Sequence, residues 1–172
     1  MNNCLNLLGS IAGIFSFLYI IFLIVIKGYI KPNVEICDYI ARRITNNDIF
    51  YTIKICNKTR FALVNINAEL LLMRNAVDLD DCIKKIPLLY STISDIPAYG
   101  HPNLGHFRKF QIENINIDNL LNDNKCYLLF KLACTHSISK REEIFTKKYT
   151  KESIKDGTFN STSLKIVKSL KN

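Results

Sequence analysis

Cys134 and His136 stand two apart in KCYLLFKLACTH, so on a strand they share one face, while His101 and His106 bracket a Gly/Pro-containing loop, HPNLGH. Thiol and imidazole groups in such an arrangement are the raw material of a Cys/His nucleophilic pair or of a metal site. Neither chemistry is specified here. The paired-cysteine and paired-histidine spacings of zinc sites are missing, and no catalytic-cysteine motif surrounds Cys134. Asp78, Asp80 and Asp81 form a loop cluster that reads as solvated turn residues rather than metal ligands. No glycine-rich phosphate cradle is present. The residue types therefore argue for no enzyme, no metal and no cofactor, and for a domain that binds or assembles.

The elements that carry these residues begin with CLNLLGSIAGIFSFLYIIFLIVI, Cys4 to Ile26, an apolar run with no acidic or basic side chain. At about 1.5 Å per residue it extends roughly 34 Å, enough for a bilayer core of about 30 Å, and a helix satisfies its own backbone groups there. The rival reading is a cleaved signal peptide. It would need a basic leader, a shorter run and a small-residue cleavage site, which MNN before the run and KGYIKP after it do not provide. The sequence predicts a transmembrane anchor over 1–30 and a second domain over 31–172. Basic residues follow the run and none precedes it, which places the second domain in the cytosol, on an inner or plasma membrane.

Six cysteines scattered through apolar segments, without a Cys-x-x-Cys pair, fit buried thiols in that compartment. In an extracellular setting they would instead make a disulfide framework, and Asn57 and Asn160 would be glycosylation acceptors. The net charge of +8 falls entirely on the part after the apolar run. For a tethered basic domain the nearest polyanion is the lipid bilayer itself, and anionic headgroups reward each nearby Lys or Arg with about 1 kcal/mol. Nucleic acid is not indicated, because no recognition motif or aromatic stacking pattern accompanies the charge.

Beyond the anchor the apolar period is two. DIFYTIKIC puts Ile49, Tyr51, Ile53 and Ile55 on one face, and LVNINAELLLM sets Val64, Ile66, Ala68, Leu70 and Leu72 against Asn65, Asn67 and Glu69. The short link NKTRFA predicts that these two strands pair as a hairpin. Further strands are expected in NVEIC, DCIKKIPLL, GHFRKFQI, KCYLLFKLACTH, EEIFTKKYT and SLKIVKSL. ENINIDNLLNDNK predicts a short helix capped by Asp118. About eight strands separated by turns such as AYGHPNLG and KDGT predict an all-β fold. The expected architecture is an immunoglobulin-like antiparallel β-sandwich behind one N-terminal transmembrane helix, with a small barrel as the second choice.

In segment order, IFYTIKICNKTRFALVNINAELLLMR, KKIPLLYSTIS and YLLFKLACTHSISKREEIFTKKYTKESIKDGTF resemble the cytoplasmic immunoglobulin-like domain of inward-rectifier potassium channels, over about Phe50 to Phe159. The resemblance implies a fold and symmetric oligomerisation, and suggests lipid sensing at the membrane exit. It does not extend to a channel, since the pore helix, the Thr-Val-Gly-Tyr-Gly filter string and a second membrane helix are missing from the sequence. The same layout is similar to small bacterial membrane proteins of one anchor and one β-rich domain.

Within the anchor, Gly9 and Gly13 lie on one helix face and would let a second copy approach, giving a homo-oligomer. At its exit Lys27, Tyr29 and Lys31, with Arg42 and Arg43 beyond Pro32, read as membrane-interface residues. Lys140, Arg141, Lys147, Lys148 and Lys151 form a second basic cluster that reads as a solvated sheet edge. The sequence thus predicts a membrane-anchored cytosolic β-sandwich acting as a non-enzymatic binding, sensing or assembly module for an unknown protein or small ligand. The alternative is an oligomeric pore-forming or membrane-perturbing effector controlled by the sandwich.

Overall fold

The computed structural model describes residues 2–45, 48–75, 81–100, 106–113 and 115–167, with side chains described from 11 to 25 and from 28 onward. Among the described residues a long helix, α1 (Asn2–Tyr29), leads into twelve strands: β1 (Val34–Ile36), β2 (Ile40–Thr45), β3 (Asp48–Asn57), β4 (Leu63–Arg74), β5 (Asp81–Ile86), β6 (Thr92–Ile96), β7 (Phe107–Ile112), β8 (Cys126–His136), β9 (Glu142–Tyr149), β10 (Ile154–Asp156), β11 (Thr158–Phe159) and β12 (Ile166–Val167). A short helix, α2 (Ile117–Leu120), lies between β7 and β8.

Period-two segments bury one face each, and two sheets result. The first runs β1-β3-β2-β10 with β7 also on β3; the second runs β5-β4-β8-β9 with β6 also on β4. Tyr51, Ile53, Ile55 and Phe110 of the first sheet and Ile66, Leu70, Leu128, Phe130 and Leu132 of the second belong to one buried cluster. Across it the Phe110 and Phe130 rings stand 5.5 Å apart. Burying each such side chain stabilises by about 1.5–3 kcal/mol, so the facing of the two sheets is what holds the domain together. The chain is mostly β, and its core lies between two sheets.

Three expectations need correction. β3 and β4 do not form a hairpin: β3 bonds to β1, β2 and β7, and β4 to β5, β6 and β8, so the NKTRFA link crosses from one sheet to the other. Alternation shows which face of a strand is buried and is silent about its neighbour. The sheets are not purely antiparallel, because β10 runs parallel to β2, with Ile154 opposite Ile40 and Asp156 opposite Arg42. In α2 the cap is Asn116, whose side chain accepts from the Asn119 N–H; Asp118 lies in the first turn and turns to Arg42 and Tyr51 instead.

β4 keeps its alternation except at its start, where Leu63 is buried and Val64 is not. A register shift lies between Val64 and Asn67, and Asn65 has a φ of 52°. One residue in the left-handed region exchanges the two faces there, as β-bulges do, and Asn tolerates it.

The outer face of the first sheet is covered by the β11–β12 hairpin. Lys54, on the side of β3 opposite the core, is almost fully buried beneath it and donates to the carbonyls of Asn160 (2.6 Å), Ser161 (3.1 Å) and Ser163 (2.7 Å). The Phe107 ring lies 4.0 Å from its ammonium. Gly157 enters the hairpin at a φ of 136°, and a Cβ there would stand 2.4 Å from the Val167 carbonyl oxygen, so the KDGT turn requires its glycine. Cys37, Ala41 and Phe159 form a second small core under the same hairpin.

Every side chain of α1 from 11 to 25 is exposed. Among the described residues no helix is long and apolar enough to cross a membrane. The run of exposed side chains, 11–25, is about 22 Å long at 1.5 Å per residue, against a bilayer core of about 30 Å.

Candidate functional site

The end of the sandwich beside α1 is organised by one amide side chain. Asn57 closes β3 and is fully buried. Its Nδ2 donates to the carbonyls of Phe61 (2.9 Å) and Pro97 (2.9 Å), and its Oδ1 accepts from the Thr59 N–H (2.8 Å). An Asn side chain that mimics a backbone turn in this way stabilises a tight loop. The loop 58–62 therefore folds on its own residues and leaves Arg60 and Phe61 outward; Phe61 is 41% exposed. The same geometry removes Asn57 as a glycosylation acceptor in the folded chain, since its amide is buried and bonded, whereas Asn160 is exposed.

A second loop is built by His136 at the end of β8. Its Nδ1 accepts from the N–H groups of Ile138 (3.3 Å) and Ser139 (3.2 Å), shaping the turn to β9. Two donors at Nδ1 fix the neutral tautomer with the proton on Nε2, and Nε2 is buried without a hydrogen-bond partner among the described residues. The Phe61 ring meets the imidazole edge-on at 5.4 Å. Burial holds His136 below the ordinary imidazole value. Ile138 and Lys140 project from the turn, Ile138 half exposed.

These loops touch each other and the helix exit. The Ser137 N–H donates to the Ala62 carbonyl (3.1 Å), the Lys58 N–H to the Asn33 carbonyl (2.9 Å), and Arg141 Nη1 to the Gly28 carbonyl (3.4 Å). Between them lies an open cavity of about 550 Å³ lined by Tyr29, Lys31, Lys58, Arg60, Phe61 and His136, among others. Two carboxylates at this end are paired, Glu35 with Lys58 (2.7 Å) and Glu143 with Arg141 (3.2 Å), and the exposed Glu142 follows Arg141 at the start of β9. Lys31, Arg60 and Lys140 have no carboxylate within ion-pair distance among the described residues. The surface here is cationic with apolar tips.

Neither the family models nor the curated proteins give a match to this chain.

Of the membrane-interface residues read from the sequence, Tyr29 and Lys31 line the cavity and are exposed, and the side chain of Lys27 lies outside the described residues. Arg42 and Arg43 stand elsewhere. In the β2–β3 register they lie opposite Tyr51 and Phe50, six and seven residues before Asn57, or about 20 Å of strand away. Arg42 Nη1 binds Asp118 (2.8 Å) and its Nε binds Asp156 (2.6 Å), while Arg43 Nε donates to Thr45 (3.1 Å). Gly13 sits on an exposed helix face with no atom within 4 Å of a Cβ built there, and Gly9 lies before the described side chains. The second basic cluster divides. Lys140 and Arg141 belong to the cationic end, Lys147 binds Asp38, Lys148 covers the Tyr127 ring at 3.6 Å, and Lys151 reaches Asn122.

Among the described residues, those considered for catalysis are not assembled into a site. Cys134 lies in the core, and burial, with Glu143, pushes its thiol up to about 11, far from a thiolate at neutral pH. His106 packs its ring on Tyr99 (4.8 Å) and Phe107 (4.3 Å); burial, Lys58 and Lys54 hold it below the ordinary imidazole value. His101, Asp78 and Asp80 lie outside the described residues. Among the described residues no group of three or more His, Cys, Asp or Glu side chains is placed to hold a metal. The described cysteines are free thiols; Cys82, unlike the buried ones, is exposed on β5.

The residues that sequence reasoning passed over are Lys58, Arg60, Phe61 and Ile138. Their signal was the Asn57-x-Thr59 turn and the SISK tip. Neither can be set beside the helix exit without the tertiary fold.

Proposed function

We propose that the chain is a single-pass membrane protein: α1 crosses the bilayer, and the sandwich, of immunoglobulin-like type, stands on the cytosolic side as a non-enzymatic binding, sensing or assembly module. The observation that carries this reading is the helix. Its backbone runs unbroken from Asn2 to Tyr29, its sequence from Cys4 to Ile26 lacks acidic and basic side chains, and no part of the sandwich covers the side chains from 11 to 25. An apolar face of that size is costly in water and stable in lipid. The polar residues favour binding over catalysis, because burial raises the thiols of Cys37, Cys56 and Cys134 and the His136 imidazole is used to shape its loop.

The free face around Gly13 favours association of copies through α1. An oligomer of that kind fits the segment-order resemblance to inward-rectifier cytoplasmic domains, and it is the form on which the pore-forming alternative would depend.

Alkaline extraction of membranes holding the full chain tests the anchor. Retention in the pellet is expected, and protease should reach the Lys58–Arg60 loop only from the cytosolic face. Release into the supernatant would sink the reading. Native mass spectrometry of the detergent-extracted chain then reads the association: a dimer or larger species that Gly13→Leu breaks supports helix packing, and a monomer in both removes it.

A further inference from the structure

We propose that the α1-proximal end of the sandwich is a docking face for an anionic bilayer surface, in which Phe61 and Ile138 enter the interface and Lys31, Arg60 and Lys140 meet the headgroups. This rests on the reading of α1 as the anchor. Three observations lead to it. First, both loop tips combine an exposed apolar side chain with an adjacent cation, Arg60 beside Phe61 and Lys140 two residues after Ile138, and Tyr99, 52% exposed, stands behind them on a backbone bond from its N–H to the Thr59 carbonyl (2.8 Å). A bilayer meets both at once, since its interface takes up aromatic and aliphatic tips while its phosphates take up Lys and Arg.

Second, Lys31, Arg60 and Lys140 have no carboxylate within ion-pair distance among the described residues. Glu35 and Glu143 are occupied by Lys58 and Arg141, and Glu142, beside Arg141 at the start of β9, is not within ion-pair distance of Lys31, Arg60 or Lys140. Third, the face cannot leave the membrane. From Tyr29 to Val34 the chain spans at most about 17 Å, Asn33 is held by the Lys58 N–H, and Arg141 bonds to the last turn of α1. The loops also need no ligand to form, because Asn57 and His136 satisfy their backbone groups internally. A preformed surface held beside a charged plane loses little freedom on contact.

The full chain has no tryptophan, so a single introduced indole reports its own position. Four variants, Phe61→Trp, Ile138→Trp, Ile44→Trp and Tyr19→Trp, are reconstituted in phosphatidylcholine vesicles carrying brominated acyl chains, with and without phosphatidylglycerol. Ile44 is exposed near the opposite end of the first sheet and serves as the distant reference. With phosphatidylglycerol, emission from the Phe61→Trp and Ile138→Trp variants should be quenched at least about twofold more than that of the Ile44→Trp variant. The excess should vanish without the anionic lipid, or when Arg60→Glu and Lys140→Glu are added. Tyr19→Trp should be quenched in every vesicle. If Tyr19→Trp is quenched while both tips match the Ile44→Trp variant, the docking face is wrong and the anchor stands. If Tyr19→Trp is not quenched, the anchor fails and the docking face with it. Tip quenching that ignores both the anionic lipid and the charge reversals overturns the headgroup role of the cations.

Discussion

The two ends of the first sheet solve the same problem with opposite chemistry. Beside α1 a neutral amide, Asn57, gathers two loops and uses none of the surrounding charge. Toward the other end a cation, Arg42, gathers α2 and β10 through Asp118 and Asp156, with the Tyr51 hydroxyl donating to Asp118 (2.6 Å). Burial and the Asp118 bond push the Tyr51 phenol up to about 12, and Arg42 holds Asp156 below the usual carboxylate range. The charged node consumes its own ions in the fold. Around the neutral node Lys31, Arg60 and Lys140 have no carboxylate within ion-pair distance among the described residues.

The sharpest way to break the contrast is Asn57→Ala. It strands the Pro97 carbonyl and the Thr59 N–H, while the Phe61 carbonyl keeps the Thr59 hydroxyl (2.6 Å); at about 1–3 kcal/mol for each group left wholly unpaired, a loss of about 3 kcal/mol is expected in urea unfolding. A loss below about 1 kcal/mol would mean that water replaces the amide. Lys54→Met tests a third case, a cation spent on carbonyls rather than on carboxylates. About 2 kcal/mol should be lost, and amide exchange should accelerate over 158–167 while β4 and β8 keep their protection. Uniform acceleration would show that the hairpin is not held separately by Lys54.

Arg42→Ala should cost less, about 1 kcal/mol, because its partners are partly exposed and screened by water. The cost should shrink with added salt, unlike that of Asn57→Ala, and equal salt dependence of the two would erase the distinction drawn here. The smallest effect is that of pH. His136 titrates below its ordinary value of 6.5 because it is buried, so the unfolded chain takes up its proton first as pH falls. Stability is therefore full above about 6.5 and declines below it until the lower folded pKa is reached. His106 is lowered too and contributes in the same direction. His136→Asn keeps an acceptor for the turn and removes this titration, so its urea midpoint should change less between pH 7 and pH 5.5 than that of the parent chain. Identical slopes would place the effect elsewhere.

Much of the fold was legible because alternation is a local signal. β3, β4, β8 and β9 lie where their period-two runs predict, and the buried faces of β3 and of most of β4 are those expected. Pairing is not local. The NKTRFA link is short enough for a hairpin yet bridges two sheets, and β10 reaches β2 across 114 residues of chain. β2 itself was read as basic residues following the membrane exit, because IARRIT offers little apolar alternation around Arg42 and Arg43. Lys54 points away from the core as its parity requires, and its burial comes from a hairpin more than 100 residues later. At the candidate site Tyr29 and Lys31 were readable from their place after the apolar run. Lys58, Arg60 and Phe61 were not, since only the sheet-crossing link carries them to the helix exit.

The parallel pairing of β2 with β10 sets an order of events during synthesis. At about 5–20 residues per second, roughly 6 to 23 s separate the emergence of Arg42 from that of Asp156. Through that interval the nascent first sheet ends in an open strand whose N–H and C=O groups await a partner, on a chain whose first helix is already complete. The two adjacent arginines of β2 act then as gatekeepers, since charge on an unfinished edge discourages pairing with a neighbouring nascent chain. When Asp156 arrives, Arg42 passes from guarding the edge to closing it.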